Sequence, residues 1–504
     1  MKRIVTAEHM KKLDTNTIFH HHLDQMVLME RAAMAVIKHL QQFDLSQTLV
    51  VCGCGNNGGD GIAIGRMLHL AGIRVSIYVA GDHSKMSAGC AKQYEIADSY
   101  GVRWVNNPNF SEYTTIVDAI FGVGLSRAVS GSYAQVINEI NQSKAAVVAV
   151  DMPSGVCADT GKILGCGVCA DCTVTFAYEK AGQCLYPGKK YCGSLYTEDI
   201  GIYDTEEINP SFPEYWKLER EDLNLIPLRF ASGNKGTFGK VLLIAGSKDM
   251  PGASVLCGQA VLRTGAGMLK VVAPIENRDI LASALPEAML AIYDSKEKAL
   301  QQIADGFLWA DVVVLGPGLG QGDTAEAMVS YVLKNGCLPL VLDADGINLT
   351  SRHMEWLKGR KAPCILTPHM GELARLLHMS VAQVKENLFE QIRLFAKEYQ
   401  VQCVCKDAVT CVVLPEQTIY INSSGNCGLA TAGSGDVLAG VIGGLLAVGT
   451  PWKYAGGIGS YLHGMAGDQL AEKNGTAHMI AGDLIGELAS FRIGEKEAQE
   501  HESI

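Results

Sequence analysis

Asp436 is the residue whose surroundings speak most directly of chemistry. It lies in 425–440, GNCGLATAGSGDVLAG, a stretch of small residues with a single carboxylate. The apolar run 437–448 that follows reads as a buried helix, which puts Gly433, Ser434, Gly435 and Asp436 at a helix N-terminus. Unpaired amides and the helix dipole make such a turn an anion site of phosphate size. Glycine lets a ligand come close to the backbone. A carboxylate there repels a phosphate, but it can take a proton from a hydroxyl that receives or leaves with a phosphoryl group. On this stretch alone, a helix whose N-terminus is capped by Asp is about equally good a reading.

A second set of candidates lies in the first third of the chain. An apolar strand at 48–52 runs into GCGNNGGDG at 53–61, and a helical pattern follows from Ile62. Strand, glycine loop and helix are the opening unit of a doubly wound α/β domain. The loop departs from the dinucleotide fingerprint GxGxxG, and Asn56, Asn57 and Asp60 add side-chain oxygens to it. Two more strands end alike: 115–117 runs into Asp118 and AIFGVGLSRAV, and 145–150 into Asp151 and MPSG. Strand C-termini of a parallel sheet share one edge, so Asn57, Asp60, Asp118, Gly122, Gly124, Asp151 and Ser154 are expected to converge. Gly and Asp also punctuate ordinary loops, but three such endings in one domain favour a site.

The elements that must hold these residues follow from the rest of the chain. At 504 residues, two or three domains are expected. Apolar residues make up 48% and charged residues 19%, the balance of a globular protein. The 42 basic against 53 acidic residues give a net charge of −11, which argues against nucleic acid or an anionic membrane as partner. The N-terminus lacks a signal-peptide core and the longest apolar run is too short to span a bilayer, so a cytoplasmic protein is expected. Sixteen cysteines fit reduced thiols, and Cys166, Cys169 and Cys172 read as scattered rather than as a metal site. Residues 11–42 have helical apolar spacing, with His20, His21 and His22 as an interrupting turn. The charged segment 202–223 reads as a linker or as an excursion at the start of a domain. A second α/β series begins after it, with strands at 241–244, 312–315, 340–342, 364–366 and 401–405, the first four leading into AGSKDMPGAS, GPGLGQ, DADGIN and TPHMGE.

These motifs resemble known families. The second half resembles the ribokinase-like fold and, more closely, the ADP-dependent NAD(P)H-hydrate dehydratases. The resemblance rests on NKGTFGKVLLIAGS at 234–247, GPGLG at 316–320, DADGIN at 343–348, TPHMGE at 367–372 and the stretch around Asp436. The first half resembles the NAD(P)H-hydrate epimerases through NNGGDG at 56–61, VDAIFGVGL at 117–125 and VDMPSG at 150–155. Their order is that of the bifunctional NAD(P)H-hydrate repair enzymes. The resemblance implies an epimerase domain of Rossmann-like, doubly wound form at 1–215, a ribokinase-like α/β dehydratase domain at 222–494, and a frayed tail at 495–504.

It also implies the chemistry. The substrates are NADH and NADPH whose reduced ring has taken up water; R and S hydrates are interconverted, and the S form is dehydrated as ADP becomes AMP and phosphate. Asp436 is then the dehydratase base, and Ala253, Gly318 and His369 contact the hydrated cofactor with it. Lys406, Asp407, Ala408, Val409, Thr410 and Gly435 take the nucleotide, with Mg²⁺ as companion. In the epimerase half, Asn56, Asn57, Gly58, Gly59, Asp60 and the loop Gly122, Val123, Gly124, Leu125, Ser126, Arg127, Ala128 hold substrate. Asp151 contacts it and moves the proton. Asn57, Asp118 and Ser154 supply oxygens for potassium, or form only a hydrogen-bond network. A homo-oligomer is expected. The sequence departs from the family pattern at Asn234, Met370, Asp407 and Ser434, and a carboxylate at 407 repels a nucleotide phosphate unless it turns away. The rival reading is a ribokinase-like small-molecule kinase, which leaves NNGGDG without a role.

Overall fold

The computed structural model describes residues 1–203 and 214–491. The tail expected to fray, and 204–213 of the expected linker, lie outside the described residues. The chain divides into two compact units, Arg3–Tyr215 and a second that runs from Trp216 and includes Met1–Lys2. Beyond that point the segment is the start of the second unit and not a linker: Tyr215–Lys217 is a strand and Arg220–Leu225 a 3-10 turn, and the N-terminal amine meets Asp222 at 2.8 Å, which is the excursion of the two readings.

In the N-terminal unit, strands β1 (Thr48–Cys52), β2 (Val75–Val79), β3 (Arg103–Trp104), β4 (Thr115–Ala119), β5 (Ala146–Val150), β6 (Cys172–Phe176) and β7 (Ser194–Glu198) form one seven-stranded sheet. Their order is β3-β2-β1-β4-β5-β6-β7, all parallel. Such strands are covered on both faces, which is why β1, β4 and β6 are buried along their whole length. The winding reverses between β1 and β4, where the C-terminal edge opens a crevice. The helix Asn56–Leu70 starts there, pressed against the preceding loop: a Cβ on Gly58 would stand 1.9 Å from the Gly53 carbonyl oxygen, so only glycine fits. The helical run expected at 11–42 is two helices, Ala7–Phe19 and Gln25–Leu40. His20, His21 and His22 form the turn between them, and Asp24 caps the second helix by accepting from the Met26 amide at 2.7 Å.

In the C-terminal unit, β8 (Lys240–Ile244), β9 (Met268–Pro274), β10 (Met289–Tyr293), β11 (Val312–Leu315), β12 (Leu340–Leu342), β13 (Cys364–Leu366), β14 (Gln402–Cys405), β15 (Cys411–Val413) and β16 (Ile419–Ile421) lie in the order β10-β9-β8-β11-β12-β13-β14-β15-β16. The sheet is parallel up to β14 and antiparallel after it. The helices Pro251–Arg263 and Ser434–Ala447 pack closely, since a Cβ on Gly440 would stand 2.3 Å from the Cys257 carbonyl oxygen. All sixteen cysteines are free, and Cys166, Cys169 and Cys172 do not form part of a metal cluster among the described residues. No described helix is long and apolar enough to cross a membrane.

Candidate functional site

The helix Ser434–Ala447 decides between the two readings of Asp436. Its cap residue is Gly433, with φ of 87°, a conformation that favours glycine. No side chain caps this end, and Asp436 sits in the first turn instead. The Ser434 amide donates to the Thr431 carbonyl at 3.3 Å, and the amides of Gly433, Gly435 and Asp436 are left for a ligand. Lys406 faces the same turn: a Cβ on Gly435 would be 3.2 Å from its Nζ.

Strand ends supply the remaining groups. Lys406 Nζ donates to Asp343 Oδ1 at 3.0 Å, and Thr367 Oγ1 donates to the same oxygen at 2.6 Å. Burial raises the Asp436 carboxyl from 3.8 to about 7; Asp343 and Asp345 push in the same direction and Lys406 opposes them. Burial pulls the Lys406 ammonium down, but Asp343, Glu372 and Asp436 outweigh it and hold its pKa above the usual value. The site thus pairs a lysine that stays charged with a carboxyl poised near neutrality. Behind the turn, buried His463 meets Ser434 Oγ at 3.2 Å, and burial lowers this imidazole to about 4, so it is neutral.

The other residues named from the sequence gather here. Gly318, at φ of 57°, lies against Ala253, whose Cβ would be 2.6 Å from a Cβ on Gly318. His369 pairs with Lys406 in a parallel bridge and caps the helix Met370–Leu376, its Nδ1 accepting from the Gly371 amide at 2.9 Å. That bond fixes the ring tautomer and leaves Nε2 as the donor. Asp407 meets Lys385 at 2.9 Å, which offsets its charge. Ala408 is exposed, and Val409 and Thr410 are partly so. Asp343, Thr367, Glu372 and His463 were not singled out by the sequence. For Asp343 the signal was present, a carboxylate immediately after a buried strand; for His463, inside a long helix, there was none.

In the N-terminal unit, the three strand ends do converge. Asp118 is fully buried on β4 rather than just after it. Its carboxylate accepts from Ser154 Oγ at 2.6 Å, the Ser154 amide at 2.8 Å and the Ile120 amide at 3.2 Å. Ser154 Oγ in turn accepts from the Phe121 amide at 2.8 Å, which pins the start of the loop carrying Gly122, Val123, Gly124, Leu125, Ser126, Arg127 and Ala128. Asn57 lies against Gly122, and its buried Nδ2 has no hydrogen-bond partner. Asn56 accepts from Ser87 Oγ at 2.7 Å. The Asp118 carboxylate, held only by neutral donors, and Ser154 Oγ are oxygens of the kind a weakly hydrated cation takes, whereas the unpartnered Asn57 Nδ2 is a donor and asks for an acceptor. Asp118 and Ser154 thus bring their oxygens together, with Asn57 against Gly122. Asp118→Asn is expected to remove the response of epimerisation rate and thermal midpoint to added potassium while the fold persists; an unchanged response would leave these groups as a hydrogen-bond network alone.

Asp151 follows β5 with φ of 65°. Its amide donates to the Val174 carbonyl at 2.8 Å and its own carbonyl accepts from Gln183 Nε2 at 2.7 Å, so the turn is held from both sides. Its carboxylate accepts from Lys180 Nζ at 2.6 Å and Thr175 Oγ1 at 3.1 Å. Lys180 is fully buried and also donates to Thr175 Oγ1 and the Phe176 carbonyl. Burial raises Asp60 well above the usual carboxylate range, and Asp151 and Asp14 add to it. Burial likewise lifts Asp14 to about 6, with Asp151 adding to the rise and Lys180 opposing it. Lys180 and Asp14 escaped the sequence reading because neither stands in a glycine-rich strand ending.

The comparisons agree with this layout. Residues 241–489 match the NAD(P)H-hydrate dehydratase family model, and residues 25–182 match that of the YjeF-related protein N-terminus. A bifunctional NAD(P)H-hydrate repair enzyme of Moorella thermoacetica is 35% identical over 96% of this chain and 95% of its own length. The counterpart from Escherichia coli is 34% identical over 88% of this chain and 85% of its own. A crystal structure of a ribokinase-like superfamily protein from Enterococcus faecalis is 27% identical, covering 57% of this chain and 98% of that one with a TM-score of 0.50. The uncapped turn at Asp436, the converging strand ends of the N-terminal unit and these near full-length likenesses lead to one conclusion: the chain belongs to the family of bifunctional NAD(P)H-hydrate repair enzymes.

Proposed function

We propose that the N-terminal unit epimerises R and S hydrates of NADH and NADPH, and that the C-terminal unit dehydrates the S form with ADP. The observation that carries the reading is Asp436, a carboxyl raised to about 7 in an uncapped helix turn next to Lys406. As the ring hydroxyl takes the phosphoryl group of ADP, Asp436 takes its proton and AMP departs. The amides of Gly433 and Gly435 and the Lys406 ammonium stabilise the transferred charge. Phosphate then leaves the ring carbon and carries off the proton lost from the neighbouring carbon, which restores the double bond. Ala253, Gly318 and His369 hold the hydrated ring, and Lys406 to Thr410 with Gly435 hold the nucleotide. Among the described residues no three acidic, thiol or imidazole groups make a ready metal cage. Magnesium would then ride on nucleotide phosphates with most of its waters, as is usual for that ion.

Epimerisation requires the bond from ring carbon to oxygen to be broken and remade on the opposite face. Asp60, whose carboxyl burial lifts well above the usual range, gives a proton to the departing oxygen; Asp151 takes one from the water that adds on the opposite face, and return of that proton to Asp60 resets the pair. Potassium at Asn57, Asp118 and Ser154 would neutralise Asp118 and order the substrate loop. The test supplies S hydrate of NADPH with ADP and follows the return of reduced-nicotinamide absorbance, then repeats it with R hydrate. Return of absorbance from both is expected. Turnover of a simple alcohol with ATP, and none of either hydrate, would favour the kinase reading instead.

A further inference from the structure

One cavity of the C-terminal unit has no part in the steps above. Its volume is about 580 Å³, inside the range of ~300–1,000 Å³ typical of small-molecule sites. Arg352, Arg375 and His378 line it together with Ala374, Met379 and Val381. Arg352 follows the helix Ala344–Thr350 that leaves β12, and Arg375 lies on the helix that leaves β13.

The two arginines are anchored without being neutralised. Arg375 Nη1 donates to Asn348 Oδ1 at 2.7 Å, and Arg352 Nη2 donates to Gln321 Oε1. Both acceptors are neutral amides, and neither guanidinium forms an ion pair among the described residues. An amide fixes the plane of a guanidinium but leaves its charge and remaining N–H groups for an anion, and the fork matches a phosphate. The floor is different: Ala374, Met379 and Val381 offer apolar surface, and methionine adapts its shape to a flat ring.

The cavity is also tied to the catalytic edge. Gln321, which holds Arg352, donates from Nε2 to Asp345 Oδ1 at 3.1 Å. Asp345 Oδ2 accepts from the Gly320 amide at 2.8 Å. The same side chains thus fix Arg352 and the loop 316–320 that carries Gly318, the loop assigned above to the hydrated cofactor. A dinucleotide whose reacting ring lies at Asp436 needs a second anchor at its far end, where remote binding energy can position the ring.

We propose that this cavity receives the adenosine end of the hydrated cofactor, its purine on Ala374, Met379 and Val381 and a phosphate group between Arg352 and Arg375. The inference rests on the dehydratase reading of this unit. A phosphate could be the diphosphate common to both hydrates or the 2′-phosphate of the NADPH form, and the experiment separates them. Arg352→Ala, Arg375→Ala and the charge reversal Arg375→Glu are assayed in the full chain for KM toward S-NADPH hydrate, S-NADH hydrate and ADP. Each alanine is expected to raise KM for NADPH hydrate by about 10-fold or more, the size of a lost charge-assisted hydrogen bond, and the reversal to raise it further. A rise confined to NADPH hydrate marks the 2′-phosphate; an equal rise for both marks the diphosphate. Unchanged KM for both hydrates, or a rise for ADP alone, overturns the assignment. Titration of the same proteins with NADPH separates the two levels of the argument. Binding weakened by the substitutions, in a protein that dehydrates neither hydrate, would sink the dehydratase reading and keep the cavity. Dehydration with native KM in all three variants would sink the cavity alone.

Discussion

Asp436→Asn is expected to lower the dehydration rate by about 10² to 10⁴, the usual contribution of a positioned base, which is about 3–5 kcal/mol of barrier. ADP affinity should change little, because the amide keeps the shape of the turn and removes a carboxylate that opposes phosphate. The pH profile supplies an independent check. With its pKa raised to about 7, Asp436 is protonated and idle in acid, so wild-type kcat/KM should climb with pH and level off above about 7. Stability should run the other way. The native state holds this proton more tightly than the unfolded chain, whose value is near 3.8, so the group favours folding below that value and the benefit is lost as pH rises through about 7. Near pH 8 the asparagine variant should therefore melt at a higher temperature than wild type. Near-native turnover in the variant would remove Asp436 from the base role, whatever the melting curves show.

Much of this arrangement was legible because glycine-rich strand endings are local signals. The strand at 48–52 and the loop after it are visible together in the sequence, and so is the helix behind Asp436. The parallel order then brings such endings to one edge without any knowledge of contacts. What sequence spacing does not carry is the identity of partners from distant elements. Asp14 lies in an ordinary amphipathic helix, which packs through Met10 and Leu13 against Ala177 and Tyr178. Lys180 reads as one more surface charge, yet it is fully buried. The odds of an Asp cap at 436 were settled only by geometry, since a left-handed glycine at 433 shifts the cap by three residues. The partner of Asp407 is likewise one that no motif marks, Lys385 at 2.9 Å.

The epimerase half yields the other large effect. Asp151→Asn is expected to slow conversion of R to S hydrate by about 10² to 10⁴, while dehydration of pure S hydrate continues at the wild-type rate. Asparagine can still accept from Lys180 but cannot take a proton, so the variant separates chemistry from packing. Asp151→Ala should be equally inactive and also less stable, because it leaves the Lys180 ammonium, whose side chain is 1% exposed, without its charged partner. Lys180→Met tests the positioning side of the same pair. It leaves the turn at Asp151 held by Gln183 and the backbone but frees the carboxylate to rotate. Breaking a buried pair in this way costs about 3 kcal/mol or more, and epimerisation should fall with it, while added S hydrate is still dehydrated. The assay is consumption of R hydrate coupled to an excess of separate dehydratase, with circular dichroism to establish that each variant is folded. A folded Asp151→Asn protein that epimerises at the native rate would take the proton transfer away from Asp151 and pass it to Asp60 or Asp14, the two carboxyls raised by burial whose rise Asp151 adds to.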